Sequence, residues 1–111
     1  MWETILENIK YAKQLGYKIE LHYVGVESVE IAKNRIAYRV AHGGHGIPDE
    51  DVERRFIESR KQLKIVLPLC DMAVLYNNTE TFQRFAIYEL GCIHDLSEKQ
   101  PNWYTEIELN Y

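Results

Sequence analysis

The chain has 111 residues, 46% of them hydrophobic and 27% charged, the proportions of one ordinary globular domain rather than a disordered, collagenous or low-complexity segment. A net charge of −4 is not the broad basic surface that general nucleic-acid binding needs, so no nucleic-acid partner is expected. No apolar run approaches bilayer-spanning length, and the acidic start Met1-Trp2-Glu3-Thr4 is unlike a signal peptide, so a cytoplasmic protein without a membrane partner is expected.

Residues 5 to 15 read as a helix, with Ile5, Ile9 and Ala12 at helical spacing and Gly16 as a C-terminal cap. Lys18 to Gly25 alternates as a strand, with Ile19, Leu21, Tyr23 and Gly25 on one face. Ser28 is placed to cap a second helix running to about His42, with Val29, Ala32, Ile36 and Val40 as its apolar positions. Pro48 suits the first turn of a third helix, and Asp49, Glu50 and Asp51 suit the positive end of its dipole. Val52, Phe56, Leu63 and Leu67 give that helix an apolar stripe, and Pro68 marks its end.

Met72 to Tyr76 is expected as a buried strand, turned by Asn77-Asn78. Residues 83 to 94 are β-prone, and Gly91 suggests a hairpin. Pro101 opens a terminal helix containing Trp103, Ile107 and Leu109. Cys70 and Cys92 lack metal or redox spacing and are expected as buried small hydrophobes. His22 and His94 have no ligand-like neighbours and read as structural, and no metal site is expected.

The basic charge is concentrated in one stretch. Residues 33 to 64 hold eight Lys or Arg against five Asp or Glu, whereas the rest of the chain holds five against twelve. Arg35, Arg39 and His42 are spaced to share one helix face. His42-Gly43-Gly44-His45-Gly46-Ile47-Pro48 is a glycine-rich joint, and the third helix then presents Arg54, Arg55, Arg60, Lys61 and Lys64. Two basic helices on a glycine hinge (Gly43, Gly44 and His45) make a flap able to fold over an anionic ligand. Arginine suits that task because its planar fork binds phosphate oxygens in pairs. The plain alternative is a solvated basic face, with Arg54 and Arg55 paired to Glu50, Asp51 or Glu58 on their own helix.

The string Asn34-Arg35-Ile36-Ala37-Tyr38-Arg39-Val40-Ala41-His42-Gly43-Gly44-His45-Gly46-Ile47-Pro48, continuing to Arg54-Arg55-Phe56, resembles the lid of zeta-toxin-type P-loop kinases. So does the passage from Ala12-Lys13 to Gly16-Tyr17-Lys18-Ile19, and Leu75-Tyr76-Asn77-Asn78-Thr79 is similar to that family's later strand, with Asn77 and Thr79 replacing its Asp and Ser. The resemblance covers about residues 5 to 104. It implies part of an α/β P-loop kinase fold: a parallel-sheet fragment flanked by helices, with a helical lid at about residues 33 to 64. It also implies ATP and Mg2+ as cofactors, and UDP-N-acetylglucosamine as the substrate phosphorylated in the family. By motif, Arg39 matches the first ATP-contacting lid arginine, Arg54 or Arg55 the second, and Arg35 is a further candidate.

The glycine-rich loop GxxxxGK[ST], which holds the phosphates of a nucleotide and its magnesium, is absent. So is the catalytic aspartate of the family, and no catalytic residue is expected in this chain. The expectation is a single domain over residues 1–111, inactive alone, completed by a P-loop half in trans or by self-association, with an antitoxin as a further partner. The alternative is a non-catalytic, self-associating module that binds anions or another protein.

Overall fold

A computed structural model describes residues 2–107 of the chain. Helix α1 (Trp2–Gln14) leads into strand β1 (Glu20–Gly25). Helices α2 (Val29–Ala41) and α3 (Asp49–Val66) follow, and α3 tightens into a 3-10 turn at Leu67–Leu69. Then come β2 (Met72–Asn77), β3 (Gln83–Glu89), β4 (Cys92–Leu96) and the short helix α4 (Asn102–Ile107). The expected terminal-helix position Leu109 lies outside the described residues.

The sheet order is β1-β2-β3-β4. β1 pairs with β2 in parallel, Glu20 opposite Met72 and Gly25 opposite Asn77. β3 and β4 add antiparallel neighbours. The sheet is therefore mixed, correcting the expectation of a parallel-sheet fragment. The reason is connection length: β1 and β2 are joined by two helices, as a parallel crossover requires, while β2, β3 and β4 are joined by short turns. The β-prone stretch is the expected hairpin, turned at Leu90-Gly91 with both residues at positive φ.

One face of the sheet carries the core. Leu63 and Leu67 from the α3 segment meet Ala73 and Leu75 of β2, Phe85, Ala86 and Tyr88 of β3, and Trp103, Tyr104 and Ile107 of α4. Trp103, Leu67 and Leu75 are wholly excluded from solvent. Phe85 meets Trp103 and Tyr104 edge-on at 5.4 and 5.2 Å between centroids, the geometry that aromatic quadrupoles favour. Tyr88 and Tyr104 join their hydroxyls inside this layer, so neither buried O–H lacks a partner.

Gly25 is the residue that lets α4 close over the end of β1. A Cβ at that position would run into the indole of Trp103.

The opposite face stays open. His22 stacks on Tyr76 and Tyr76 on Phe82, at 5.8 and 4.9 Å between centroids. Val24 and Phe82 are exposed there. β1 and β4 are the edges of the sheet, so β1 is a parallel edge strand with apolar surface uncovered, as the sequence led one to expect.

Two further expectations need correction. The apolar positions of α2 are not a buried stripe: α2 contains no buried residue, and Val40 is exposed. Cys70 is buried as expected, but Cys92 is exposed, because its place on edge strand β4 faces no covering helix.

Candidate functional site

The carboxyl ends of β1 and β2 lie side by side, since Gly25 and Asn77 are register partners. In open α/β sheets this is where ligands are usually met. The turn leaving β1 is held by three contacts. Arg60 of α3 donates from Nη2 to the carbonyl oxygens of Val26 and Glu27, at 3.0 and 3.3 Å. Its Nη1 meets the Glu106 carboxylate at 3.2 Å, and its guanidinium lies 4.4 Å from the centre of the Phe56 ring. The Glu27 N–H donates to Thr79 Oγ1 at 3.1 Å. α2 starts directly after this fixed turn, with Ser28 as its N-cap: the Ser28 hydroxyl accepts from the Ile31 N–H.

One turn further along α2, Arg35 crosses to the end of β2. Its Nη2 donates to the Thr79 carbonyl oxygen at 2.8 Å. Arg39 is four residues on and shares a surface depression with Arg35, Ile31, Asn34 and Tyr38. Arg39 has no ion pair among the described residues. The depression is lined by two arginine side chains and no carboxylate, and most of its lining is apolar. That donor set fits anionic oxygens, and it does not fit a magnesium ion, whose ligands are carboxylate and phosphate oxygens and water. Among the described residues, no group of three His, Cys, Asp or Glu side chains is arranged to hold a metal.

Arg54 and Arg55 stand elsewhere. They line a cleft between α1 and α3 together with Glu3, Leu6, Glu58 and Gln62. Arg54 pairs with Asp51 on its own helix at 3.2 Å, the local pairing that the sequence also allowed. Arg55 is exposed and has no such pair among the described residues. The structure therefore brings Arg35 and Arg39 together and leaves Arg54 and Arg55 in a separate depression.

The joint between the helices is built by the end of α2. Gly43 has φ +90°, and the Gly43 and Gly44 N–H groups donate back to the carbonyls of Val40 and Arg39 at 3.1 and 2.7 Å. This is the left-handed helix termination that glycine favours. Gly44 is also pressed against the helix, since a Cβ there would sit 2.9 Å from the Arg39 carbonyl oxygen. His45 is exposed and has no hydrogen bond among the described residues. Lys33 and Glu53 form an ion pair that ties α2 to α3 across this joint. The Glu53 carboxylate holds the Lys33 ammonium above its ordinary pKa.

Arg60, Asn77 and Trp103 were not singled out as a site by sequence reasoning. Trp103 Nε1 donates to Asn77 Oδ1 at 3.1 Å, and Thr79 Oγ1 donates to the same oxygen at 2.8 Å. The only available signal was the polar Asn77-Asn78-Thr79 run ending an apolar strand.

Over 53 residues the chain is 40% identical to an uncharacterized protein of Haemophilus influenzae, a match spanning 48% of this chain and 38% of that protein. The match thus covers well under two thirds of that relative. No family model matches the chain, and no solved structure matches it. Among the described residues, no helix is long and apolar enough to cross a membrane.

Proposed function

We propose that this chain is the lid-bearing C-terminal part of an ATP-dependent kinase of the zeta-toxin type, contributing arginines to the nucleotide phosphates and inactive by itself. The observation that carries this reading is the placement of Arg35 beside the unpaired Arg39, tied by Thr79 to the carboxyl ends of the parallel pair. Phosphoryl transfer depends chiefly on positioning and on stabilising the charge spread over the phosphate oxygens. Two arginines on one helix face, one of them anchored at the sheet end, supply that stabilisation. The phosphate-binding loop and the magnesium ligands come from another segment. In this reading Arg54 or Arg55 joins the phosphates through movement at the joint at 43–47.

The reading is tested by mixing the purified chain with a polypeptide carrying the phosphate-binding loop, encoded upstream or separately, and following ATP turnover. Turnover restored by the mixture, and cut by Arg39→Ala or by Arg55→Ala, is expected. A mixture whose activity survives both changes would remove the lid assignment.

The open sheet face with exposed Val24 and Phe82 favours a second reading, a self-associating binding module without catalysis. Sedimentation of the chain alone separates the two. A stable homodimer favours the module, and a monomer prone to aggregate favours the incomplete kinase.

A further inference from the structure

The two edges of the sheet differ. On β4 the pairing with β3 slips by one residue between Ile87 and Tyr88, which leaves His94 as an extra residue. A bulge of this kind twists an edge strand and blunts it against further pairing. β1 has no such device. It pairs with β2 without a break from Glu20 opposite Met72 to Gly25 opposite Asn77, and it contains no proline.

The backbone groups on the free side of β1 follow from the bonds on its paired side. The Met72 N–H donates to the Ile19 carbonyl at 3.2 Å, and the Asn78 N–H to the Gly25 carbonyl at 2.9 Å. A strand repeats every two residues. Leu21 and Tyr23 therefore also face β2, while Glu20, His22 and Val24 turn their N–H and C=O groups outward. Among the described residues no further strand pairs there, and all three residues are exposed. Their backbone groups stand in a regular row, the template that an added strand uses.

The side chains select the occupant. Two copies of one chain associate most simply about a two-fold axis, which sets their β1 strands antiparallel. Outward-facing residues must oppose one another, so the axis passes through Glu20, Leu21, His22 or Tyr23. At Glu20, carboxylate would meet carboxylate. At His22, imidazole would meet imidazole. At Tyr23, His22 would meet Val24 and Glu20 would meet Val26. With the axis at Leu21, Glu20 of each copy opposes His22 of the other, a hydrogen bond with a neutral ring and an ion pair with a protonated one. Facing pairs of opposite charge stabilise two strands, and like charges destabilise them. The same register sets Leu21 against Leu21 and Ile19 against Tyr23, side chains that are only half-buried in their own chain.

We propose that β1 pairs antiparallel with β1 of a second copy about a two-fold axis at Leu21, joining the two sheets into one. The inference rests on the second reading above, self-association, and names its surface and register. A single strand pair covers less area than a standard protein interface, so the dimer is weak and reversible.

The test is sedimentation equilibrium of the 111-residue chain from micromolar to millimolar concentration, over which it is expected to pass from monomer to dimer. Val24→Pro removes an outward N–H and keeps the ladder to β2, so it should weaken the dimer at least tenfold. His22→Glu leaves acids at both positions, and a chain carrying Glu20→Lys and His22→Lys leaves bases. Each of these should stay monomeric, and their equal mixture should form a heterodimer. If Val24→Pro fails to fold by circular dichroism, the charge variants decide. Between differently labelled copies of the unaltered chain, an NOE joining the Leu21 methyl groups is expected. An NOE joining the His22 rings instead overturns the proposed pairing. A dimer that forms equally well in every variant overturns this interface and leaves self-association standing. A chain that stays monomeric at millimolar concentration overturns both.

Discussion

Helices α2 and α3 are both rich in charge, and both follow β1 in the chain, yet they are held in different ways. α3 buries Val52, Leu63 and Val66, whereas α2 buries nothing. α3 belongs to the apolar layer that Trp103 closes. α2 is fixed at its start by Ser28, at its middle by the bond from Arg35 to Thr79, and to α3 by Lys33 and Glu53. Burial stabilises α3 through area removed from water, while α2 depends on a few polar ties that water competes for. Segments of the second kind open at low cost, and moving elements are drawn from them. The helix that carries Arg35 and Arg39 is therefore also the one that the core does not restrain.

The comparison is broken most severely at Trp103. Trp103→Ala empties the centre of the layer and is expected to cost about 3–5 kcal/mol, read from denaturant unfolding. Gly25→Ala should cost about 1–3 kcal/mol by forcing the same indole to move. At the α2 end, Ser28→Ala removes a cap and should cost about 1 kcal/mol. Its main effect should be faster amide exchange across α2, with α3 unchanged; equal changes in both helices would show that α2 is not independently held.

A pH series sharpens the same contrast. Burial raises the Cys70 thiol and the Tyr23 phenol above their ordinary pKa values. The folded state holds these protons more tightly than the unfolded chain does. Their contribution is complete below the ordinary values of 9.0 and 10.0 and is lost as pH rises through the raised ones. Stability should therefore fall in strong alkali, less so in Cys70→Ala. At neutral pH a thiol reagent should modify Cys92 at once and Cys70 only on unfolding.

Local signals made much of the fold legible. Ser28 and Gly43 bound α2 through chemistry that the sequence displays, and alternation marks β1. The direction of the later strands was not legible as part of a parallel sheet, because pairing partners are set by connection lengths and tertiary closure rather than by residue type. The α2 stripe misled for a similar reason: Val29, Ala32, Ile36 and Val40 have helical spacing, but α3 covers them only in part, leaving the first three half-buried and Val40 exposed. At the site, the spacing of Arg35 and Arg39 was readable. Their anchor was not, since Thr79 lies 44 residues away from Arg35. The orientation of Asn77 depends on Trp103, 26 residues further on, and nothing local announces that bond. Arg54 and Arg55 were grouped with the lid by motif, and only coordinates separate them from Arg35.

The most direct measurement is an NMR titration of the 111-residue chain with tripolyphosphate, following the arginine side chains and the Thr79 amide. Weak, millimolar binding is expected, with shifts concentrated at Arg35, Arg39 and Thr79, and none in a chain carrying both Arg35→Ala and Arg39→Ala. Shifts that persist in that double variant, or that cluster away from α2, would contradict a phosphate-gripping role for this helix.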